Sequence, residues 1–176
     1  MKNLFILGIL LIGLSSCSSI RVSNDFDSKV DLTVYKTYAF YKSGIDQLKM
    51  SDLDKKRVLR AIDRELQAKG YTKSTQPDFM INIFTKSKEV IDVYSTNYFG
   101  YGYYGWNPYM WGPNNTSVDQ YTEGTLFIDF IDVKKKEMYW QGIGTAAITR
   151  ATGEKKEKLI DGYVAKILAQ YPDAQQ

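Results

Sequence analysis

The chain has no histidine, and so lacks the commonest acid–base catalyst at neutral pH and the commonest metal ligand. It has one cysteine, Cys17, so no disulfide can form within it. Without histidine or a second thiol, only scattered carboxylates are left to hold a metal; neither a metal nor a cofactor is expected. Basic residues exceed acidic ones by three, and both signs are mixed along the sequence. That balance gives no electrostatic basis for binding nucleic acid. The serines have no histidine to activate them, and neither Ser43 nor Ser87-Lys88 stands in a Ser-x-x-Lys context. A non-enzyme is therefore expected.

Long apolar runs are also scarce, and the one present lies at the start. Lys2 precedes Leu4 to Leu14, an unbroken apolar stretch that ends in Leu14-Ser15-Ser16-Cys17. This is the layout of a secretory signal, well short of the roughly 20 residues a membrane span needs. The Leu-Ser-Ser-Cys ending resembles the lipobox of bacterial lipoproteins. That resemblance implies a signal peptide over residues 1–16, cleavage before Cys17, and a lipid on its sulfur. With each buried methylene worth roughly 0.8 kcal/mol, two or three acyl chains hold a protein on a bilayer stably. Ser18 in place of aspartate resembles the sorting signal for the outer membrane, and no acidic cluster follows Cys17. The expected location is the outer membrane, lipid-anchored and facing the periplasm.

The remainder has the length of one domain. Ile20 to Phe26 reads as a first strand, and Val34 to Tyr41, rich in aromatic and branched residues, as a second. With a domain starting at Asn24, residues 17–23 form the acylated cysteine and a tether whose six residues after Cys17 reach roughly 20 Å. Ser51-Asp52-Leu53-Asp54 reads as a helix start. Val58, Leu59, Ile62 and Leu66 follow at helical spacing, and Gly70 ends the segment. Pro77-Asp78 introduces a strand over Phe79 to Phe84, and Glu89 to Ser95 reads as a separate partner strand.

From 94 to 113 the composition turns to tyrosine, tryptophan and glycine with no periodicity, the mark of a long excursion. Thr125 to Val133 and Met138 to Thr149 read as a hairpin around Lys134-Lys135-Lys136-Glu137. In its second strand Gly142, Gly144 and Ala146 form a small-residue stripe that predicts close approach by a helix or a sharp bend. A final helix is expected over about Glu154 to Gln170, with Leu159, Ile160, Tyr163, Val164, Ile167, Leu168 and Tyr171 on one stripe. Residues 173–176 are a tail. The whole reads as a single α+β domain over 24–172, a mainly antiparallel sheet with two amphipathic helices packed on one face.

Ordered landmarks run through it: Tyr35-Lys36-Thr37-Tyr38-Ala39-Phe40, Ala68-Lys69-Gly70-Tyr71, Pro77-Asp78-Phe79, Ile128-Asp129, Trp140-Gln141-Gly142, and Ile167-Leu168 with Tyr171-Pro172. With the lipobox, this set resembles the domain-of-unknown-function 4136 family of bacterial envelope lipoproteins over most of residues 20–172. The resemblance implies an envelope lipoprotein and carries over no catalytic residues.

Two features could carry a function. Tyr98, Phe99, Tyr101, Tyr103, Tyr104, Trp106, Tyr109 and Trp111 offer rigid contact area with polar tips. They suit a protein or glycan partner in the envelope, and set against that is a loop whose rings pack on their own sheet or on the membrane. Glu123, Asp129 and Asp132 are the other feature, an alternative carboxylate set for hydrolysis of an envelope polymer. An odd spacing along a strand, however, puts Asp129 and Asp132 on opposite faces. The lysine turn could touch anionic headgroups, but reads more simply as solvated. The sequons at Asn114 and Asn115 are coincidental in a bacterial lipoprotein.

Overall fold

A computed structural model describes residues 20–95, 116–148 and 150–174. It is an α+β fold with one open, six-stranded, mostly antiparallel sheet. The strands are β1 (Arg21–Phe26), β2 (Thr37–Phe40), β3 (Thr72–Lys73), β4 (Phe79–Ser95), β5 (Thr116–Asp132) and β6 (Met138–Ala147). The helices are α1 (Lys42–Asp46), α2 (Asp52–Ala68) and α3 (Gly153–Leu168). Across the sheet the order is β1-β6-β5-β4-β2-β3. Only β2 runs parallel to its neighbours, β3 and β4.

One face of the sheet is covered. Ser51 caps α2, its hydroxyl accepting from the Asp54 N–H, and Val58, Ala61, Ile62 and Leu66 are buried. Helix α3 buries Val164, Ile167 and Leu168. These side chains meet Phe79, Ile81, Ile83, Leu126, Ile128, Phe130 and Trp140 from the central strands in one core. The glycine stripe does what its pattern predicted. A Cβ on Gly144 would lie 2.6 Å from Ile167 Cδ1, and one on Gly142 would lie 2.5 Å from Ile167 Cγ2. Helix α3 therefore packs directly onto the β6 backbone.

Several boundaries differ from those read in the sequence. Phe79–Ser95 is one strand rather than two, and it pairs along its whole length with β5. The residues read as a break, Thr85 to Lys88, lie where the strand leaves the helix-covered core, and there polar side chains suit both faces. Strand β5 starts at Thr116, so Tyr94 and Ser95 belong to the sheet rather than to the excursion. Strand β2 is shorter than expected, because Leu32–Val34 forms a 3-10 turn capped by Asp31. The ordered fold is wider than 24–172. Strand β1 begins at Arg21, and Ala174 is buried with its N–H donating to Lys69 O at 2.9 Å.

Candidate functional site

The three carboxylates singled out for hydrolysis are held apart in separate surroundings. Asp132, the last residue of β5, accepts from Tyr35 Oη at 2.7 Å through Oδ2. Its Oδ1 accepts the N–H groups of Lys134 and Lys135, each at 2.7 Å. Burial pushes its carboxyl up, but these hydrogen bonds outweigh that and hold it below the ordinary value. Glu123 is ion-paired with Arg21 across the sheet. Asp129 lies on the face opposite α2 and α3. No cleft gathers two of the three, so the hydrolase alternative loses the geometry it requires.

Asp129 is the unusual member. It stands directly opposite Asn82 on β4 and Gln141 on β6, forming a polar row across three strands. Gln141 Nε2 donates to its Oδ1 at 2.7 Å, and Asn82 Nδ2 donates to its Oδ2 at 3.3 Å. Although it lies on the face away from α2 and α3, Asp129 is only 6% exposed. Burial raises its carboxyl above the usual range, and the two amide donors only partly offset this. Along the same face Phe127 stacks on Phe84 with centroids 4.3 Å apart, and Lys86 Nζ lies 5.3 Å from the Phe127 ring. Helix α1 closes over Asn82 so tightly that a Cβ on Gly44 would sit 1.9 Å from Asn82 Oδ1. Sequence reading missed this row. Its only trace was Asn82, the one polar residue within Phe79 to Phe84.

Tyrosines in the core and packed against it also serve the fold. Tyr163 Oη donates to Gly144 O and accepts from the Leu126 N–H at 3.3 Å, and burial pushes its hydroxyl up to about 12. Tyr139 and Tyr171 share a hydrogen bond at 3.0 Å. A depression at the start of α3, lined by Glu154, Lys155, Lys158 and Leu159, opens onto the helix surface. Among the described residues no group of three or more acidic or cysteine side chains is placed to hold a metal. No described helix is long and apolar enough to cross a membrane. Cys17 and the eight aromatic residues from Tyr98 to Trp111 lie outside the described residues.

Comparison with solved structures gives the fold a context. A PDZ domain protein from Parabacteroides distasonis is similar over 97% of this chain at 17% identity, with a TM-score of 0.54. The chain spans only 40% of that protein's length. The PelC dodecamer from Paraburkholderia phytofirmans is similar over 85% of this chain and 95% of its own, at 13% identity and a TM-score of 0.50. A minor lipoprotein from Acinetobacter baumannii overlaps 78% of this chain and 92% of its own, at 11% identity and a TM-score of 0.35. A search of curated proteins returned no match. Over residues 22–173, which take in both long helices and every strand residue except Arg21, the sequence matches the Domain of unknown function (DUF4136). The chain belongs to the DUF4136 family.

Proposed function

We propose that the chain is a non-catalytic lipoprotein of the bacterial envelope. In this reading it is held by an acylated Cys17 in the outer membrane, faces the periplasm, and binds or braces another envelope component. The observation that carries it is what happens to the three candidate acids. Asp132 ties a turn, Glu123 pairs with Arg21, and Asp129 is buried among amides. Each is taken up by hydrogen bonds or an ion pair of its own, and no two of the three converge on one site. The binding surface in this reading is the aromatic segment, Tyr98, Phe99, Tyr101, Tyr103, Tyr104, Trp106, Tyr109 and Trp111, with a protein or glycan as its partner.

Two measurements test the parts separately. Mass spectrometry of the mature protein should find acyl chains on an N-terminal Cys17; an unmodified thiol would overturn the anchor. In-cell crosslinking and pull-down should lose partners when residues 98–111 are deleted, while the circular dichroism of the domain stays unchanged. An unchanged partner list would sink the role given to that segment.

A further inference from the structure

The sheet is longer on one side than its covering. The last β5–β6 pair is Glu123 with Ala147, level with Lys88 on β4. Beyond it, after one more hydrogen bond from the Ile148 N–H to Thr122 O, residues 89–95 and 116–122 continue among the described residues as a two-stranded ribbon. A ribbon of two strands alone is marginally stable in water, so a supporting surface would add to it.

The N-terminus leaves the sheet at this same end. Arg21 pairs with Thr145, Thr145 with Thr125, and Thr125 with Lys86, so all four share one row. Strand β1 runs away from the ribbon, so the chain enters it from the ribbon's side. Cys17 is four residues away, so it cannot lie farther than roughly 14 Å from Arg21. The ribbon, counted from Lys86 to Ser95, runs roughly 30 Å. An upright domain would then drive the ribbon tip roughly 16 Å below Cys17, about half the depth of a 30 Å hydrocarbon core. Asp92, paired with Asp119, would lie roughly 6 Å below Cys17. Past that pair the ribbon's outer edges, which have no strand partner among the described residues, would enter the lipid with backbone N–H and C=O groups unsatisfied, at several kcal/mol each.

We infer that the anchored domain reclines, with the strands inclined by about 60° or more from the bilayer normal and the ribbon lying along the phospholipid headgroups. This orientation rests on the acylated Cys17 proposed above. Lys86 and Lys88, both exposed at the base of the ribbon, meet the anionic headgroups. The Lys134–Lys136 turn is at the opposite end of the sheet, past the pairing of Phe26 with Trp140, and stays in water. The described end of the ribbon, where Ser95 pairs with Thr116, then lies at the lipid surface.

The test uses the lipidated full-length chain in vesicles of phosphatidylethanolamine and phosphatidylglycerol. Lys88→Cys, Ser95→Cys and Lys135→Cys are labelled one at a time with bimane, since the acylated Cys17 has no free thiol. Nitroxide on the lipid headgroup should quench labels at 88 and 95 several-fold more than the label at 135. Nitroxide deep in the acyl chain should quench none of them. Quenching at 135 that equals that at 88 overturns the orientation, and so does deep quenching at 95. Protein that fails to float with the vesicles overturns the anchor, and the orientation with it.

Discussion

Tyr35 Oη donates to Asp132 Oδ2 at 2.7 Å, tying the residues before β2 to the end of β5, 97 positions along the chain. Because Asp132 titrates below its ordinary value in the fold, its contribution is complete above the unfolded carboxylate pKa. It is lost as pH falls through the lower folded value. Asp132→Asn should cost about 1–3 kcal/mol at pH 7. The variant should also lose less stability than the parent on acidification. Urea unfolding at pH 7 and pH 3 measures both effects.

Asp129 should behave with the opposite sign. Its folded pKa is raised, chiefly by burial, so the charged form is penalised and the penalty grows as pH rises through that value. Asp129→Asn should therefore be less destabilising at pH 7 than Asp132→Asn, and the gap should close by pH 3. Carbon-detected NMR of the carboxyl group would show the Asp129 midpoint above that of an ordinary aspartate. A midpoint at or below it would contradict this account.

The packing of α3 makes two glycines respond in opposite directions. On Gly144 a methyl group would meet Ile167 at 2.6 and 2.8 Å and Tyr163 at 3.0 Å. Gly144→Ala should thus cost about 1–3 kcal/mol through overpacking. On Gly162, within α3, a Cβ would have nothing within 4 Å. Gly162→Ala should stabilise by about 0.5–1 kcal/mol, since alanine gives up less conformational freedom in a helix. Thermal unfolding of the two variants should move in opposite directions from the parent.

Gly44 links helix α1 to the polar row. The added methyl of Gly44→Ala would collide with Asn82 Oδ1 and displace the amide that donates to Asp129. Loss of that donor should raise the Asp129 midpoint further, because hydrogen bonds to the charged form are what offset its burial. The same NMR titration reads this out, and an unmoved midpoint would show that Asn82 contributes little.

What could be read from the sequence was whatever repeats along one element. Val58, Ile62 and Leu66 marked the buried stripe of α2, and Ser51 marked its cap. Alternating glycines in β6 announced the helix that lies on them. Relations between distant elements left no such trace. Nothing near Asp129 in sequence shows that Asn82 and Gln141 flank it, because that row exists only through strand register. Asp25 to Phe26 gives no sign that β1 forms the sheet edge beside β6. In sequence, β4 looks like two strands because Thr85 to Lys88 lacks apolar alternation, and a strand outside the covered core does not need it. As for the candidate site, parity alone puts Asp129 and Asp132 on opposite faces, as their pairing with Asn82 and Phe79 has them, but it does not reveal their partners.

The edge strand has a mechanical consequence. All six residues of β1 are exposed, so its hold on the sheet comes from the antiparallel ladder with β6 rather than from burial. A tug on the chain before Arg21, directed along the strand, loads the rungs from Arg21–Thr145 to Phe26–Trp140 together, in shear. A tug at right angles would part them one after another, as in unzipping. Strain entering through the N-terminus is thus borne best when it runs along the sheet.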